Sequence, residues 1–451
     1  MQEQLDRRAA IQSPLLRPRR FGARSFYGWR VVAGAFVLAV FGWGMGFYGP
    51  PVFLHAVQAA RGWPLALIST AVTLHFLTGA LVAANLPLLH RRYGLSGVTK
   101  VGALAMALGV LGWACVTAPW QLIASAVISG LGWAVMSAAA INAIVSPWFV
   151  RARPAALGMA YNGGSIGGMV FSPLWVASIG WLGFPIAAAA IGLVMIITVW
   201  ALADTAFART PEQMGLTPDD DAPGAPAALV TSPAARPLPG RMLWRSFTFI
   251  TLAAGMALGL FAQIGLIAHL FSLLVPALGS QWAGLAMGMA TAAAMAGRTF
   301  VGWAMPAGAF SGKVVTGFPQ KMRPLKNPFA DRRLVACVSY AVQIMGSIAL
   351  IMAAGANVPL LMIGVLLFGA GIGNATSLPP LIAQVELVKE DVPRAVALIV
   401  AISQGTYAFA PAAFGLIREL APHAQSAPIV FAVAALIQGL AICTFLVGRS
   451  G

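Results

Sequence analysis

The sequence predicts an all-α membrane protein of twelve transmembrane helices in two pseudo-symmetric six-helix halves. Three observations carry this: the apolar content, the length of the apolar runs, and the distribution of charge between them. Of 451 residues, 59 % are hydrophobic and 9 % charged, against about 25 % charged in soluble domains. No soluble enzyme and no disordered binder can hide that much apolar surface in water. The apolar runs are roughly 20 to 30 residues long, and about 20 apolar residues suffice to cross the hydrocarbon as a helix. A barrel would instead alternate in segments of about ten residues.

The predicted spans are 29–54, 64–89, 99–118, 121–149, 155–178, 180–204, 246–275, 281–305, 333–354, 358–385, 392–416 and 425–447. Lys and Arg fall almost entirely on one side of this layout. Of the 28, only Arg61 and Arg418 lie on the other side, and Arg298 lies inside a span. Basic residues stay cytoplasmic, so both termini are expected there. The net charge of +16 points to the anionic cytoplasmic leaflet as a partner and away from nucleic acid, since no basic patch sits beside aromatics on a soluble face. Cys115, Cys337 and Cys443 lie in apolar stretches without paired spacing, so neither a disulfide framework nor a metal site is indicated, and no cofactor is expected.

The expected organisation is a basic cytoplasmic arm over 1–28, a six-helix half over 29–204, a cytoplasmic linker over 205–244, a second half over 245–447 and a tail over 448–451. The arm lacks a cleavage site after its apolar run and reads as leading into a retained first span. The linker is rich in Pro, Ala and Asp, and cannot bury enough surface to fold. An internal repeat supports the division: at an offset of 241, Gly130 and Gly132 fall on Gly371 and Gly373, and Arg153 falls on Arg394. Repeated six-helix halves are the layout of alternating-access transporters, with substrate near midplane between them.

Several motifs carry a resemblance. Phe26-Tyr27-Gly28-Trp29-Arg30 enters span 1, and Gly46-Phe47-Tyr48-Gly49-Pro50 lies within it. Trp148-Phe149-Val150-Arg151-Ala152-Arg153-Pro154 joins spans 4 and 5, followed by Asn162-Gly163-Gly164-Ser165-Ile166-Gly167-Gly168. Gly297-Arg298-Thr299-Phe300-Val301-Gly302-Trp303 closes span 8. On these residues the chain resembles the major facilitator superfamily (the MFS fold), and within it the bacterial branch of the oxalate:formate antiporter and the monocarboxylate transporters. The resemblance implies a secondary transporter whose span 8 arginine, here Arg298, binds a substrate carboxylate.

The chain departs from the pattern in four places. The loop 2–3 motif usually has an Asp, where this chain reads His90-Arg91-Arg92-Tyr93-Gly94. A basic insertion at about 310–330 lengthens loop 8–9. Animal monocarboxylate transporters carry an Asp at the position of Ala294. The oxalate antiporter has a span 11 lysine where this chain has Ser403-Gln404-Gly405. With one central cation instead of two, a monoanion fits better than a dicarboxylate.

The residues themselves agree on where chemistry can occur. A cation within a span costs about 2.5–3.5 kcal/mol on insertion scales, and every carboxylate in the sequence lies in a loop, a tail or at a helix end. Arg298 therefore either receives a substrate carboxylate bidentately or snorkels to the interface. His75 and His269 are the titratable candidates for coupling a proton, with His55 a weaker one; the plain reading of each is a hydrogen-bonded interior or interface residue. Asn142, Asn162, Gln263, Asn374, Gln404 and Tyr407 lie at similar depth and either line the site or bridge helices. Tyr48 precedes two prolines that let span 1 bend, and is a pocket-wall or gate candidate. Arg92, Arg151, Arg153, Arg332 and Arg394 are candidates for latches between the halves at the cytoplasmic ends. Gly163-Gly164 and Gly167-Gly168 read as helix packing.

The expectation is a monomeric secondary transporter of a small organic anion, a monocarboxylate, by proton symport or anion exchange. The alternatives are drug export or neutral-solute transport on the same fold. A membrane enzyme or a non-transporting sensor is disfavoured by the lack of a nucleophile–base set, cofactor motif or foldable output domain. Arginine outnumbers lysine 23 to 5, which points to a bacterial inner membrane.

Overall fold

The computed structural model describes residues 26–220, 243–304, 331–387, 391–420 and 427–449. The basic arm, most of the linker and the loop 8–9 insertion lie outside the described residues, as do Lys389 and Glu390.

Among the described residues, eleven helical stretches are long and apolar enough to cross a membrane. Span 1 comprises Tyr27–Gly46 and Gly49–Arg61, span 2 Leu65–Tyr93, and span 3 Leu95–Cys115. Span 4 comprises Pro119–Met136 and Ala138–Val145, span 5 is Arg153–Leu182, and span 6 Phe184–Thr205. The next stretch, Phe247–Val301, runs for 55 residues. At about 1.5 Å per residue it is more than twice as long as the hydrocarbon is thick. It folds back at Gly279, whose φ of 72° and ψ of 164° are non-helical and suit a residue without Cβ. Its two limbs are spans 7 and 8. Span 9 is Arg332–Ala353, span 10 Val358–Ala375 with Leu378–Glu386, span 11 Val392–Tyr407 with Ala410–Glu419, and span 12 Pro428–Val447. Among the described residues twelve crossings result, as the apolar runs predicted, with Phe26 and Arg449 on one side.

Four spans are broken, and prolines explain three of the breaks. Pro50, Pro379 and Pro411 each sit in the first turn of the segment that restarts, where the missing N–H costs nothing. Span 4 breaks at Ser137, which takes extended backbone without a proline. Each break leaves carbonyls unpaired in mid-membrane, available to side chains or ligands.

Small residues set the helix spacing. A Cβ on Gly163 would lie 2.2 Å from the Phe36 carbonyl oxygen, and one on Gly167 would lie 2.4 Å from that of Val40. These glycines bring span 5 against span 1, the packing role the sequence assigned them. Two of the family-like motifs also meet: Phe26 and Trp29 pack on Phe149 at 5.6 and 5.0 Å between ring centroids, and Tyr27 packs on Trp148 at 5.1 Å. The entry of span 1 and the span 4–5 turn are thus one aromatic cluster.

The seam between the first six and last six spans is closed at the end away from the termini. There the Ala410–Glu419 segment of span 11 packs along the start of span 2, whereas Val392–Tyr407 touches span 2 far less. Ala66 N–H donates to Glu419 Oε2 at 2.9 Å, and Ala412 N–H donates to Thr73 Oγ1 at 3.1 Å. Spans 5 and 8 approach from Gly180 beside Gln281 down to Gly168 beside Thr291. Toward the termini, Met159, Asn162, Ala397 and Ala401 are exposed.

Candidate functional site

Arg298 is half-buried on span 8, two turns beyond Thr291. Its position follows from an unusually close approach of spans 8 and 10. A Cβ on Gly369 would lie 2.4 Å from the Ala290 carbonyl oxygen, and one on Gly373 2.1 Å from that of Ala294. Span 10 then breaks after Ala375, which frees the Gly373 carbonyl to accept from Arg298 Nε at 2.9 Å. That carbonyl orients the guanidinium without neutralising it. Among the described residues, the terminal nitrogens of Arg298 have no hydrogen-bond partner and no carboxylate pairs with it.

Tyr48 reaches Arg298 from the other half. Its side chain is buried beside Thr291 and within electrostatic reach of Arg298. Gly168 makes room: a Cβ there would strike the Tyr48 ring at 2.4 Å and Thr291 Cγ2 at 2.7 Å. Spans 1, 5 and 8 therefore converge around the phenol, and both halves contribute to the site.

Beside it stands an aromatic wall. Tyr48 and Phe47 are 4.9 Å apart between centroids, Phe47 and Phe76 6.0 Å, Phe76 and Tyr407 6.1 Å, and Trp43 and Trp133 5.2 Å. Phe47 and Phe76 also line an apolar recess with Pro50, Val72, Ile264 and Ile267. Gln263, one residue from that recess, is buried with its Oε1 unpartnered among the described residues. At the span 11 break, Gln404 is half-buried one turn before Tyr407. Asn142 and Asn162 are exposed on the termini side of spans 4 and 5, and Asn142 Oδ1 accepts from Ser146 at 2.5 Å.

Three sequence-predicted site residues, Asn374, His75 and His269, are placed away from Arg298. Asn374 lines a crevice with Ser339, Tyr340 and Phe445, on the face of span 10 turned to spans 9 and 12, because one residue turns the side chain well away from Gly373. His75 has both ring nitrogens committed within the first half, Nδ1 to Ser129 Oγ and Nε2 to the Gly46 carbonyl, each at 2.8 Å. It joins spans 1, 2 and 4 and leaves no nitrogen for a ligand. His269 lies further from the termini than Arg298; its Nε2 donates to the Pro411 carbonyl at 3.0 Å. His55, half-buried, stacks edge-on to Phe271 at 5.3 Å.

Of the arginines expected to latch the halves, Arg153 and Arg332 donate to carbonyls of their own halves. Arg153 donates through Nε to the Phe149 carbonyl at 2.8 Å. The Arg151 backbone N–H donates to Asp219 Oδ2 at 2.7 Å. Arg332 donates to the Leu381 carbonyl, and Arg92 lies over its neighbour Tyr93 at 5.4 Å. Arg394 is exposed at the start of span 11. Glu386, grouped in the sequence with the loop 10–11 latches, instead pairs with Arg333: Nε donates to Oε1 at 2.8 Å and Nη2 to Oε2 at 2.8 Å. Sequence reasoning missed Arg333, Asp219 and the buried Arg418, each because its partner is remote in the chain.

The arrangement can hold one anionic group at Arg298, steadied by a phenol, with an apolar and aromatic surface beside it. The sequence matches the Major Facilitator Superfamily over residues 11–318. The chain belongs to that superfamily. It is 29 % identical over 203 residues to "MFS-type transporter 1" of Ophiocordyceps sp. (strain BCC 1869), a match spanning 43 % of each chain. Solved structures share the fold. The nucleoside transporter NupG superposes with a TM-score of 0.66 at 14 % identity, over 94 % of this chain and 99 % of that one. A bacterial homologue of the human lysosomal transporter Spinster, inward-facing and occupied, gives 0.68 at 14 % identity, over 94 % and 97 %. The chain is thus a multi-pass membrane protein of this superfamily.

Proposed function

We propose that this transporter moves a small monocarboxylate with an apolar or aromatic body by alternating access, in the manner of the oxalate:formate and monocarboxylate branch it resembles. The observation that carries the reading is Arg298: a mid-span guanidinium between the halves, oriented by a neutral carbonyl and without a carboxylate partner among the described residues. In a low-dielectric cavity such a cation is a receptor for an anion. A dianion would leave one charge unbalanced. The Phe47–Phe76–Tyr407 wall supplies the contact for the rest of the substrate. With the termini cytoplasmic, as the Lys and Arg distribution predicts, the packed seam between spans 2 and 11 closes the outward side. Cationic drugs fit poorly, since Arg298 would repel them.

The test is uptake of radiolabelled pyruvate and phenylpyruvate into proteoliposomes, wild type beside Arg298→Gln and Arg298→Lys. Wild type is expected to take up both saturably, with the lower half-saturation for phenylpyruvate. Losing a desolvated charge pair costs about 2–5 kcal/mol, so Arg298→Gln should fall at least about thirtyfold in transport efficiency. Uptake of neither acid by folded wild type, with transport of a neutral solute instead, would overturn the reading.

A further inference from the structure

A second guanidinium sits in the closed end of the seam. Arg418, on the far segment of span 11, is 8 % exposed. Its Nη1 donates to Ser272 Oγ, and its Nη2 donates to the Ser272 carbonyl at 3.4 Å. Ser272 and His269 are one turn apart on span 7, and Ser272 Oγ donates to the His269 carbonyl at 2.9 Å. No carboxylate pairs with Arg418 among the described residues; the adjacent Glu419 is engaged by the Ala66 N–H. A cation buried this far without an acid is costly unless an anion joins it in some state of the cycle.

His269 supplies the independent observation. It is 0 % exposed, and its Nε2 donates to the Pro411 carbonyl. Its Nδ1 is therefore the lone-pair nitrogen of a neutral ring, sealed in without a partner among the described residues. A lone pair beside a guanidinium accepts a proton readily only when an anion balances the second positive charge. A carboxylate on Arg418 would do so.

Among the described residues, the groups around this pair are few. Span 1 presents His55, which like His269 lies within electrostatic reach of Arg418. Span 2 presents the uncharged Ser69 and Thr73, and span 11 presents Arg418 and Glu419. Ala412, Gly415 and Glu419 face span 2, while Pro411, Phe414 and Arg418 face span 7. Arg418 thus lies in the angle between span 7 and the other half. Parting the seam there exposes Arg418 and His269 to the far side.

We propose that Arg418, Ser272 and His269 form a far-side loading site that takes up a carboxylate together with one proton before the substrate reaches Arg298. The proton comes from the far-side solution and forms the Nδ1–H bond of His269; the carboxylate accepts from Arg418. The proposal rests on the carboxylate reading of Arg298.

The experiment compares entry of labelled phenylpyruvate from the far side, in whole cells, with entry from the termini side, in inverted vesicles. It runs from about pH 8 to about pH 6, a range in which a carboxylic acid stays ionised. In wild type the far-side half-saturation should fall several-fold as far-side pH falls. Arg418→Gln should raise it about tenfold while the termini-side value stays within about twofold, and Arg418→Lys should lie between. His269→Gln, whose amide can still donate to the Pro411 carbonyl, should remove the pH response. Equal shifts on both sides in the Arg418 variants would show a structural role and overturn the site. So would unchanged far-side values, or a pH response that survives His269→Gln. No carboxylate entry in wild type would overturn the Arg298 reading and this site with it.

Discussion

The two repeats end differently on the side of the termini. At the offset of 241, His90-Arg91-Arg92 falls on Asp331-Arg332-Arg333, and Val145 falls on Glu386. The second copy is self-sufficient. Arg333 is 1 % exposed and binds Glu386 through two nitrogens, Thr251 Oγ1 and the Phe445 carbonyl at 3.2 Å each, and the Thr248 carbonyl at 3.2 Å. One side chain thereby ties spans 7, 9, 10 and 12. Asp331 caps span 9 through the backbone N–H groups of Arg333 and Leu334, and also pairs with Arg449 at 2.6 Å. The first copy has neither acid. Arg92 is exposed over Tyr93, and the carboxylate that organises its span 4–5 turn arrives from beyond span 6. Asp219 accepts from the backbone N–H groups of Val150, Arg151 and Ala152 at 3.0, 2.7 and 3.2 Å. One half thus carries its own electrostatic closure, while the other borrows an acid from the linker. The same fold end tolerates both because a carboxylate can be satisfied by a guanidinium or by a row of N–H groups ahead of a helix.

The sharpest way to break this contrast is to remove the built-in acid. Glu386→Gln leaves Arg333 buried without its counter-charge, which costs about 3–5 kcal/mol where a buried pair is broken from one side. The thermal midpoint of the detergent-solubilised protein should fall by roughly 10 °C. Replacing both partners, Arg333→Met with Glu386→Leu, should recover most of that loss, since desolvation then disappears with the charges. A midpoint unmoved by Glu386→Gln would show that the second half does not depend on this pair.

The borrowed acid should matter less and more locally. Asp219 has a φ of 61°, a left-handed conformation that Asn tolerates, so Asp219→Asn removes the charge without adding strain. Losing the ionised acceptor should cost about 1 kcal/mol. Amide hydrogen exchange at 150–152 is expected to speed up about fivefold while the thermal midpoint shifts by only a few degrees. If exchange spreads along all of span 5, the linker contact holds up more of the half than the turn.

What the sequence revealed and what it hid follow the same physics. The spans were legible because apolar length is a local property, and even the turn at Gly279 was implied by a run too long for one crossing. Arg298 was legible because a charge within an apolar run is anomalous by itself. The Arg333–Glu386 pair was not, because Arg333 reads as one more loop-end cation and its partner lies 53 residues away. The repeat offset held a usable signal, since an acid occurs at 386 where the other copy has valine. Arg418 looked like a surface charge at a helix end; only the approach of span 7 shows it buried. Asn374 was misplaced for the opposite reason: depth along a helix is readable from sequence, but the face it presents depends on where the helix breaks.

The smallest effect is expected at Arg92, and it tests the comparison from the other side. An exposed guanidinium over a neighbouring ring contributes at most about 0.5–1 kcal/mol, and exposed charges without rigid partners contribute about as little. Arg92→Gln should therefore leave the thermal midpoint within about 2 °C and phenylpyruvate uptake within about twofold, although the corresponding position in the other half, Arg333, ties four spans together. Stability alone cannot decide the matter, because a latch made only when the termini side closes would not register in the resting fold. Uptake does decide it. A tenfold loss of transport at unchanged stability would mean that Arg92 finds an acid in the opposite state. The first half would then be asymmetric in when it uses its charge, rather than in whether it has one to use.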